Sequence, residues 1–213
     1  MAGKIITIAN FKGGVGKTLI SYLLYKHFEE DYFLIQSDLD SINKEVLHIN
    51  NFEDFKNEKN AKLIKEALNN KNVLIDTGGF QNDLQDYFFK KSNLIIIPLF
   101  LDNTNIKRTF VFLKYLKTLN FEKDTKFLIV INKYNKNLET DKNEFIEYVK
   151  NTYNINNFFV INDYKSFQKS LDNNLNLIEE HKKKKILYKQ PVKQIIELQN
   201  KVKELLWVIN MKK

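Results

Sequence analysis

The sequence predicts an α/β fold, a mostly parallel sheet covered by helices on both faces, and three observations carry that reading. Short, largely apolar runs recur at Ile5–Ala9, Tyr32–Ile35, Val73–Ile75, Leu94–Ile97, Phe127–Ile131 and Phe158–Ile161. They are continuous rather than alternating, as strands buried on both faces must be, and helix-patterned stretches separate them, the arrangement of parallel strands joined by helical crossovers. Polar residues gather just past the ends of the runs, at 10–18, 38–40, 76–79 and 132. Sheets of this kind bind ligands at the carboxyl ends of their strands, so these residues can converge on one site.

In chain order, the first strand (Ile5, Ile6, Ile8, Ala9) runs into Lys12-Gly13-Gly14-Val15-Gly16-Lys17-Thr18. A helix follows from Leu19 to Phe28, with Ile20, Leu23, Leu24 and Phe28 on one side. A second strand over 32–36 leads to Asp38 and Asp40. Residues 41–70 are polar and helix-prone, with Leu63, Ile64 and Leu68 spaced to pack one side on a sheet. The strand over 72–76 passes through Gly78-Gly79 into a helix bearing Leu84, Tyr87 and Phe88. A fourth strand over 94–97 is expected to stop at Pro98, which has no N–H for a ladder. A helix over about 104–119, a strand over 127–131, a helix over 143–150 and a strand over 158–161 continue the alternation. From about 172 to 190 the pattern fails, in a polar stretch that ends in a lysine run. Pro191 fits the first position of a last helix, where Val192, Ile195, Ile196, Leu198, Val202, Leu205, Leu206 and Ile209 recur at helical spacing. No repeats occur, and residues 1–213 read as a single domain with an ample core.

Strand, glycine-rich loop and helix N-terminus are the parts of a phosphate cradle. Glycines let backbone N–H groups curl around an anion, and the helix adds unpaired N–H groups and the positive end of its dipole. Lys17 can reach outer phosphates, and the Thr18 hydroxyl is placed to ligate Mg²⁺. Asp76 ends a strand beside the loop, where a carboxylate can hold a metal's water shell. The three histidines, His27, His48 and His181, have no partner spacing and receive no role.

The loop is a deviant Walker A motif. Phe11 stands where the general pattern has its first glycine, Lys12 opens the loop, and two glycines are adjacent. On Asn10–Thr18 the chain resembles the ParA/MinD family of P-loop NTPases, and most of all the small ParA proteins of plasmid partition. The likeness resumes at Asp38-Leu39-Asp40, at Val73–Gly79, which is similar to the family's Walker B strand and switch, and at Leu94–Pro98 and Ile129–Lys133. It covers roughly residues 3–135. The family continues its Asp-x-Asp with Pro-Gln, where this chain has Ser41-Ile42, and commonly has a second threonine where this chain has Leu19.

The resemblance implies Mg²⁺-dependent ATP hydrolysis, slow and stimulated by a partner. It implies that residues 12–19 (Lys12, Gly13, Gly14, Val15, Gly16, Lys17, Thr18, Leu19) hold the nucleotide and that Asn132 lies at the base. Asp40 would orient the attacking water, with Lys12 and Lys17 as the other catalytic residues, and Thr18, Asp38 and Asp76 would surround the metal. Lys12 would cross to the nucleotide of a second subunit, making an ATP-dependent homodimer. A centromere-binding ParB-like protein would be the stimulating partner. The absence of cysteine excludes the cluster-holding relatives, the nitrogenase iron protein and the iron–sulfur scaffold ATPases, together with thiolate zinc sites and disulfides.

Charge is the remaining signal. Residues 181–213 hold ten lysines against two glutamates, which accounts for the whole net charge of +8; the rest of the chain is neutral. Nonspecific DNA binding needs phosphate neutralisation rather than base readout, and lysine clusters suffice. Lys182, Lys183, Lys184, Lys185 and Lys189 are therefore the candidate DNA contacts, and a solvated loop is the plain alternative for the run. The expected function is an ATP-hydrolysing partition protein whose dimer coats DNA. A MinD-like ATPase that binds membrane through Leu205–Ile209 and Met211-Lys212-Lys213 is the second reading. It ranks lower, because those apolar residues are also what a helix needs to pack on the sheet. A ligase or kinase on the same loop has no substrate motif in its favour. No stretch approaches the ~20 apolar residues of a membrane span, and no signal peptide or helix-turn-helix precedes the loop. A cytoplasmic, nucleoid-associated protein is expected, without repression of its own operon.

Overall fold

The structure, a computed structural model, describes residues 3–28, 32–36, 47–48, 58–78, 83–122, 124–183 and 188–207. Among these the strands are β1 (Ile5–Ile8), β2 (Tyr32–Gln36), β3 (Leu47–His48), β4 (Asn72–Asp76), β5 (Leu94–Leu99), β6 (Lys126–Tyr134) and β7 (Phe158–Asn162). The helices are α1 (Lys17–His27), α2 (Glu58–Asn70), α3 (Asp83–Lys91), α4 (Asn103–Leu116), α5 (Glu139–Tyr153), α6 (Lys165–Asp172), α7 (Leu177–Lys183) and α8 (Lys189–Trp207), with a 3₁₀ turn at Lys136–Leu138. The seven strands form one sheet in the order β3-β2-β4-β1-β5-β6-β7. Every pairing is parallel. The parallel α/β architecture read from the apolar runs is the one observed.

Alternation along each strand divides the core. Ile6, Ile8, Leu94, Ile96, Leu128 and Val130 point to one face, where α1, α6, α7 and α8 cover them. Ile95, Ile97, Leu99, Ile129 and Ile131 point to the other, beneath α4 and α5. Ile5, Ile35, Val73 and Ile75 extend that second face beneath α2 and α3. This period of two is the geometry of a pleated strand, and both faces are apolar because both are covered. Phe88, Phe89 and Phe112 are fully buried between helices and sheet. Truncating any of them to alanine is expected to cost about 3–5 kcal/mol.

Several expectations need correction. Pro98 lies inside β5 instead of ending it. β1 pairs with β5 only as far as Ile8 opposite Ile96, then departs into the loop, while β6 continues with Val130 opposite Pro98. The Pro98 carbonyl faces the side β1 has left and accepts from Asn10 Nδ2 at 2.8 Å. The missing N–H lies on that same side, so the ladder with β6 loses nothing. The stretch 172–190 is not patternless, for α7 fills 177–183. Asn176 caps it, its Oδ1 accepting the N–H groups of Ile178 and Glu179 at 3.0 and 3.2 Å. The last helix starts two residues before Pro191, which still lies in the first turn, where an N–H is not required. Within the helix-prone stretch 41–70 the sheet gains the two-residue edge strand β3, too short to leave a periodic signal. Leu63 and Ile196, expected on packed sides, are exposed; α2 buries Ile64, Ala67 and Leu68 instead.

The apolar stripe of α8 is occupied. Val192, Ile195, Leu198, Val202, Leu205 and Leu206 are buried against the first face, whereas Trp207 is exposed. No described helix is long and apolar enough to cross a membrane. Residues 208–213, part of the membrane reading, lie outside the described residues.

Candidate functional site

The loop between β1 and α1 stands at the carboxyl edge of the sheet, with β4 on one side and β5 on the other. Gly14 and Gly16 have φ of 76° and 95°, left-handed values that favour glycine. Gly16 is fixed a second way, since a Cβ there would stand 2.1 Å from Asn132 Nδ2. Gly16 is the N-cap of α1, and its carbonyl accepts from Ile20 N–H at 3.0 Å. Among the described residues, no protein acceptor takes the N–H groups of Gly13, Gly14, Val15 or Gly16. A glycine-formed concavity with N–H groups to spare, at the positive end of an 11-residue helix, has the chemistry of an anion cradle.

Lys17 opens α1 and is buried, and its ammonium donates to the Lys12 carbonyl at 3.1 Å. A positive charge is thereby held across the loop. Lys12 stays at the surface, its own ammonium 3.2 Å from the Gly13 carbonyl. The Asp102 carboxyl, which caps α4, is held below the usual carboxylate range, chiefly by the Asn105 N–H and to a lesser degree by the charge of Lys12. Lys12 therefore lies within electrostatic reach of the start of α4.

The loop is tied to the sheet at its entry. Asn10, 1% exposed, donates to the Pro98 carbonyl and, at 2.9 Å, to Thr109 Oγ1. Phe11 packs on Phe112 and Tyr115 of α4, with ring centroids 4.8 and 5.2 Å away. This explains the missing glycine of the general motif: position 11 is a packing position, not part of the cradle. On the β4 side, Thr77 donates from both its N–H and its hydroxyl to the Ile8 carbonyl, at 3.1 and 2.9 Å. Asp76 sits opposite Ile8 in register, buried, and accepts from Gln36 Nε2 at 3.4 Å.

Of the residues expected at the site, the structure thus brings together 12–19, Asp76 and Asn132. Asn132, buried at the end of β6, donates from Nδ2 to the Val15 carbonyl at 3.1 Å. It also lines a cavity of about 350 Å³ beside the loop, with Leu19, Asn162, Tyr164 and Phe167. Asp38 and Asp40 lie outside the described residues, as do Lys184 and Lys185. Lys182 and Lys183 are exposed on α7, and Lys189 is exposed on α8. In the sequence Asn10 and Thr77 fall among the residues that can converge on the site, without a task of their own, and Gln36 and Asp102 receive none. Asn10 carried a usable signal, a polar residue directly after a buried strand.

Thr18 and Asp76 offer hard oxygen donors of the kind Mg²⁺ prefers. Among the described residues no group of three or more His, Cys, Asp or Glu could hold a metal by itself. That donor set fits a Mg²⁺ that arrives with phosphates and keeps much of its water, and does not fit a resident ion in a protein cage.

No curated protein matches this chain. Among solved structures, an ATP complex of a McdA variant from Cyanothece aligns with 14% identity and a TM-score of 0.66, covering 100% of this chain and 99% of that one. A putative plasmid partition protein from Borrelia burgdorferi B31 bound to AMPPNP aligns with 19% identity and a TM-score of 0.63, covering 94% and 99%. The pNOB8 ParA protein bound to nonspecific DNA aligns with 13% identity and a TM-score of 0.60, covering 96% and 98%. At these identities the likeness is one of fold. Residues 6–206 match the family described as the CobQ/CobB/MinD/ParA nucleotide binding domain. The loop geometry and that match over nearly the whole chain agree, and the protein belongs to the CobQ/CobB/MinD/ParA nucleotide-binding domain family.

Proposed function

We propose that this protein is a Mg²⁺-dependent ATPase of the DNA-partition kind, whose ATP-bound homodimer coats nonspecific DNA and is released by hydrolysis. The observation that carries the reading is the loop itself: Lys12 at its exposed rim and Lys17 buried across it, on a glycine cradle at the sheet's carboxyl edge. Two lysines divide two tasks. Lys17 neutralises the outer phosphates of its own nucleotide, and Thr18, with Asp76 and Asp38, holds the Mg²⁺ that accompanies them. Lys12 has no work in an ordinary phosphate loop and reaches the nucleotide of a second copy. Asp40 orients the attacking water. Hydrolysis of this kind rests on positioning and charge neutralisation rather than covalent chemistry.

Exposed Lys182, Lys183 and Lys189 support DNA binding, together with the lysine excess of residues 181–213. The fold likeness to a ParA bound to nonspecific DNA adds to it. The buried state of Leu205 and Leu206 speaks against the membrane reading, because those side chains already pack on the sheet. A centromere-binding protein of the ParB kind would be the stimulating partner, and the setting would be the cytoplasm at the nucleoid. The test is co-sedimentation with plasmid DNA and with anionic phosphatidylglycerol vesicles, each with and without Mg·ATP. ATP-dependent pelleting with DNA alone is the expected result. Pelleting with vesicles alone would replace this reading with the membrane one.

A further inference from the structure

The Asn132 side chain joins two parts of the molecule that lie far apart in sequence, the end of β6 and the phosphate loop. Both ends of its amide are engaged. Nδ2 donates to the Val15 carbonyl at 3.1 Å, and Oδ1 accepts from Lys133 N–H at 2.9 Å. The second bond fixes which way the amide faces, since the carbonyl oxygen is held by its own strand and the NH₂ must point to the loop. The backbone is also irregular here. Lys133 has φ of 51°, unusual for a residue with a side chain, and the register between β6 and β7 slips between Ile131 and Tyr134. At the far end the fit is close. Val15 and Asn132 are both buried, and the 2.1 Å between Asn132 Nδ2 and a Cβ built on Gly16 leaves room only for glycine.

We infer that Asn132 is a positioning residue for the phosphate loop: by holding the Val15 carbonyl it turns that peptide unit outward and keeps the Gly16 end of the cradle in its anion-binding shape. The inference rests on the nucleotide-binding reading and sharpens it. A residue that lines the side cavity could instead read the base held there, and the two roles differ in what they act on. A loop-positioning residue acts on any ligand the cradle takes, with or without a nucleoside. A base-reading residue acts only on ligands that carry a base. Losing a hydrogen bond to a buried carbonyl is expected to weaken binding on the order of tenfold.

The experiment measures affinity for Mg·ATP and for Mg·tripolyphosphate, which has the phosphates and no base, by titration calorimetry. The proteins are wild type, Asn132→Ala and Asn132→Asp, the last of the same shape but without the donor. Thermal unfolding of each fixes a temperature at which all three are folded. The expected result is a loss of about tenfold or more for both ligands in both variants, with the ratio of the two affinities left as in wild type. Weaker ATP binding with unchanged tripolyphosphate binding in Asn132→Ala would overturn the inference in favour of a base contact. Unchanged affinity for both ligands would overturn it outright. A wild-type protein that binds neither ligand would overturn the nucleotide reading and this inference with it.

Discussion

The phosphate loop and the lysine-rich end of the chain serve, on our reading, two polyanions, yet they are built in opposite ways. The loop is held in place from three strands. Asn10 bonds Pro98, Thr77 bonds Ile8, and Asn132 bonds Val15. Its one buried cation, Lys17, is aimed by a loop carbonyl. In the described part of 181–207 the lysines stand at the surface, and ion pairs within one helix recur among them, such as Lys183 with Glu180 at 3.0 Å and Lys201 with Glu204 at 3.1 Å. Exposed pairs of this sort are worth about 0–1 kcal/mol and weaken with salt. On that reading the contrast follows from the ligands. A nucleotide's phosphates present one fixed set of oxygens and reward preorganised dipoles, while a DNA backbone presents charge along a line and rewards density of cations. Helix α1 links the two regions: its first residue is Lys17, and from its middle and its last turn Tyr22 and Lys26 hydrogen-bond the turn that precedes α7.

The comparison breaks most sharply at Lys17. Lys17→Ala is expected to abolish Mg·ATP binding, because it removes the buried positive charge held across the cradle. Titration that finds wild-type affinity in that variant would remove the phosphate-loop assignment. Next come the two residues that separate dimerisation from chemistry. Lys12→Ala should bind ATP as a monomer and fail to hydrolyse it, and Asp40→Ala should bind ATP, dimerise and stay dimeric. Light scattering with ATP decides the first, since a stable Lys12→Ala dimer contradicts a role across the interface. Rapid phosphate release by Asp40→Ala contradicts its role with water.

At the lysine-rich end the effect should be graded. Changing Lys182–Lys185 to glutamate should lower the salt slope of DNA binding by about 0.9 for each lost phosphate contact, without touching ATP affinity. Equal slopes for the variant and wild type would leave the run a solvated segment. The smallest effect tests the joint between the regions. Burial pushes the imidazole of His27, the last residue of α1, down to about 4 from its ordinary 6.5. The unfolded chain therefore binds that proton more readily, so stability present above pH 6.5 is lost as pH falls toward 4. From pH 7 to pH 5 the loss through His27 is about 2 kcal/mol. Urea unfolding at both pH values should show a fall larger by that amount in wild type than in His27→Gln; equal falls would mean that His27 is protonated without penalty.

Much of this molecule was legible because its signals are local. Apolar runs marked the strands, and Leu19–Phe28 marked α1 by spacing alone. Where the reading failed, short-range signs were weak or outvoted. Helix α7 was hidden in a polar stretch, although Asn176 as cap, Glu179 and Glu180 in the first turn and His181, Lys182 and Lys183 in the last describe a helix by charge and capping. Leu63 and Ile196 look like core residues by type, and only the direction of neighbouring elements shows that they are not.

By itself the sequence determined the cradle and its family. Three glycines, two lysines and a threonine in seven residues constrain φ, charge and hydroxyl position within one turn of chain. What holds the cradle was decided by tertiary structure. The bond from Asn132 to Val15 spans 117 residues, and that from Asn10 to Thr109 spans 99. Pro98 sits in a strand only because β1 leaves the sheet beside it. The reason is the same in each case: a backbone group's partner is set by which strands lie side by side, and that order is a property of the assembled sheet.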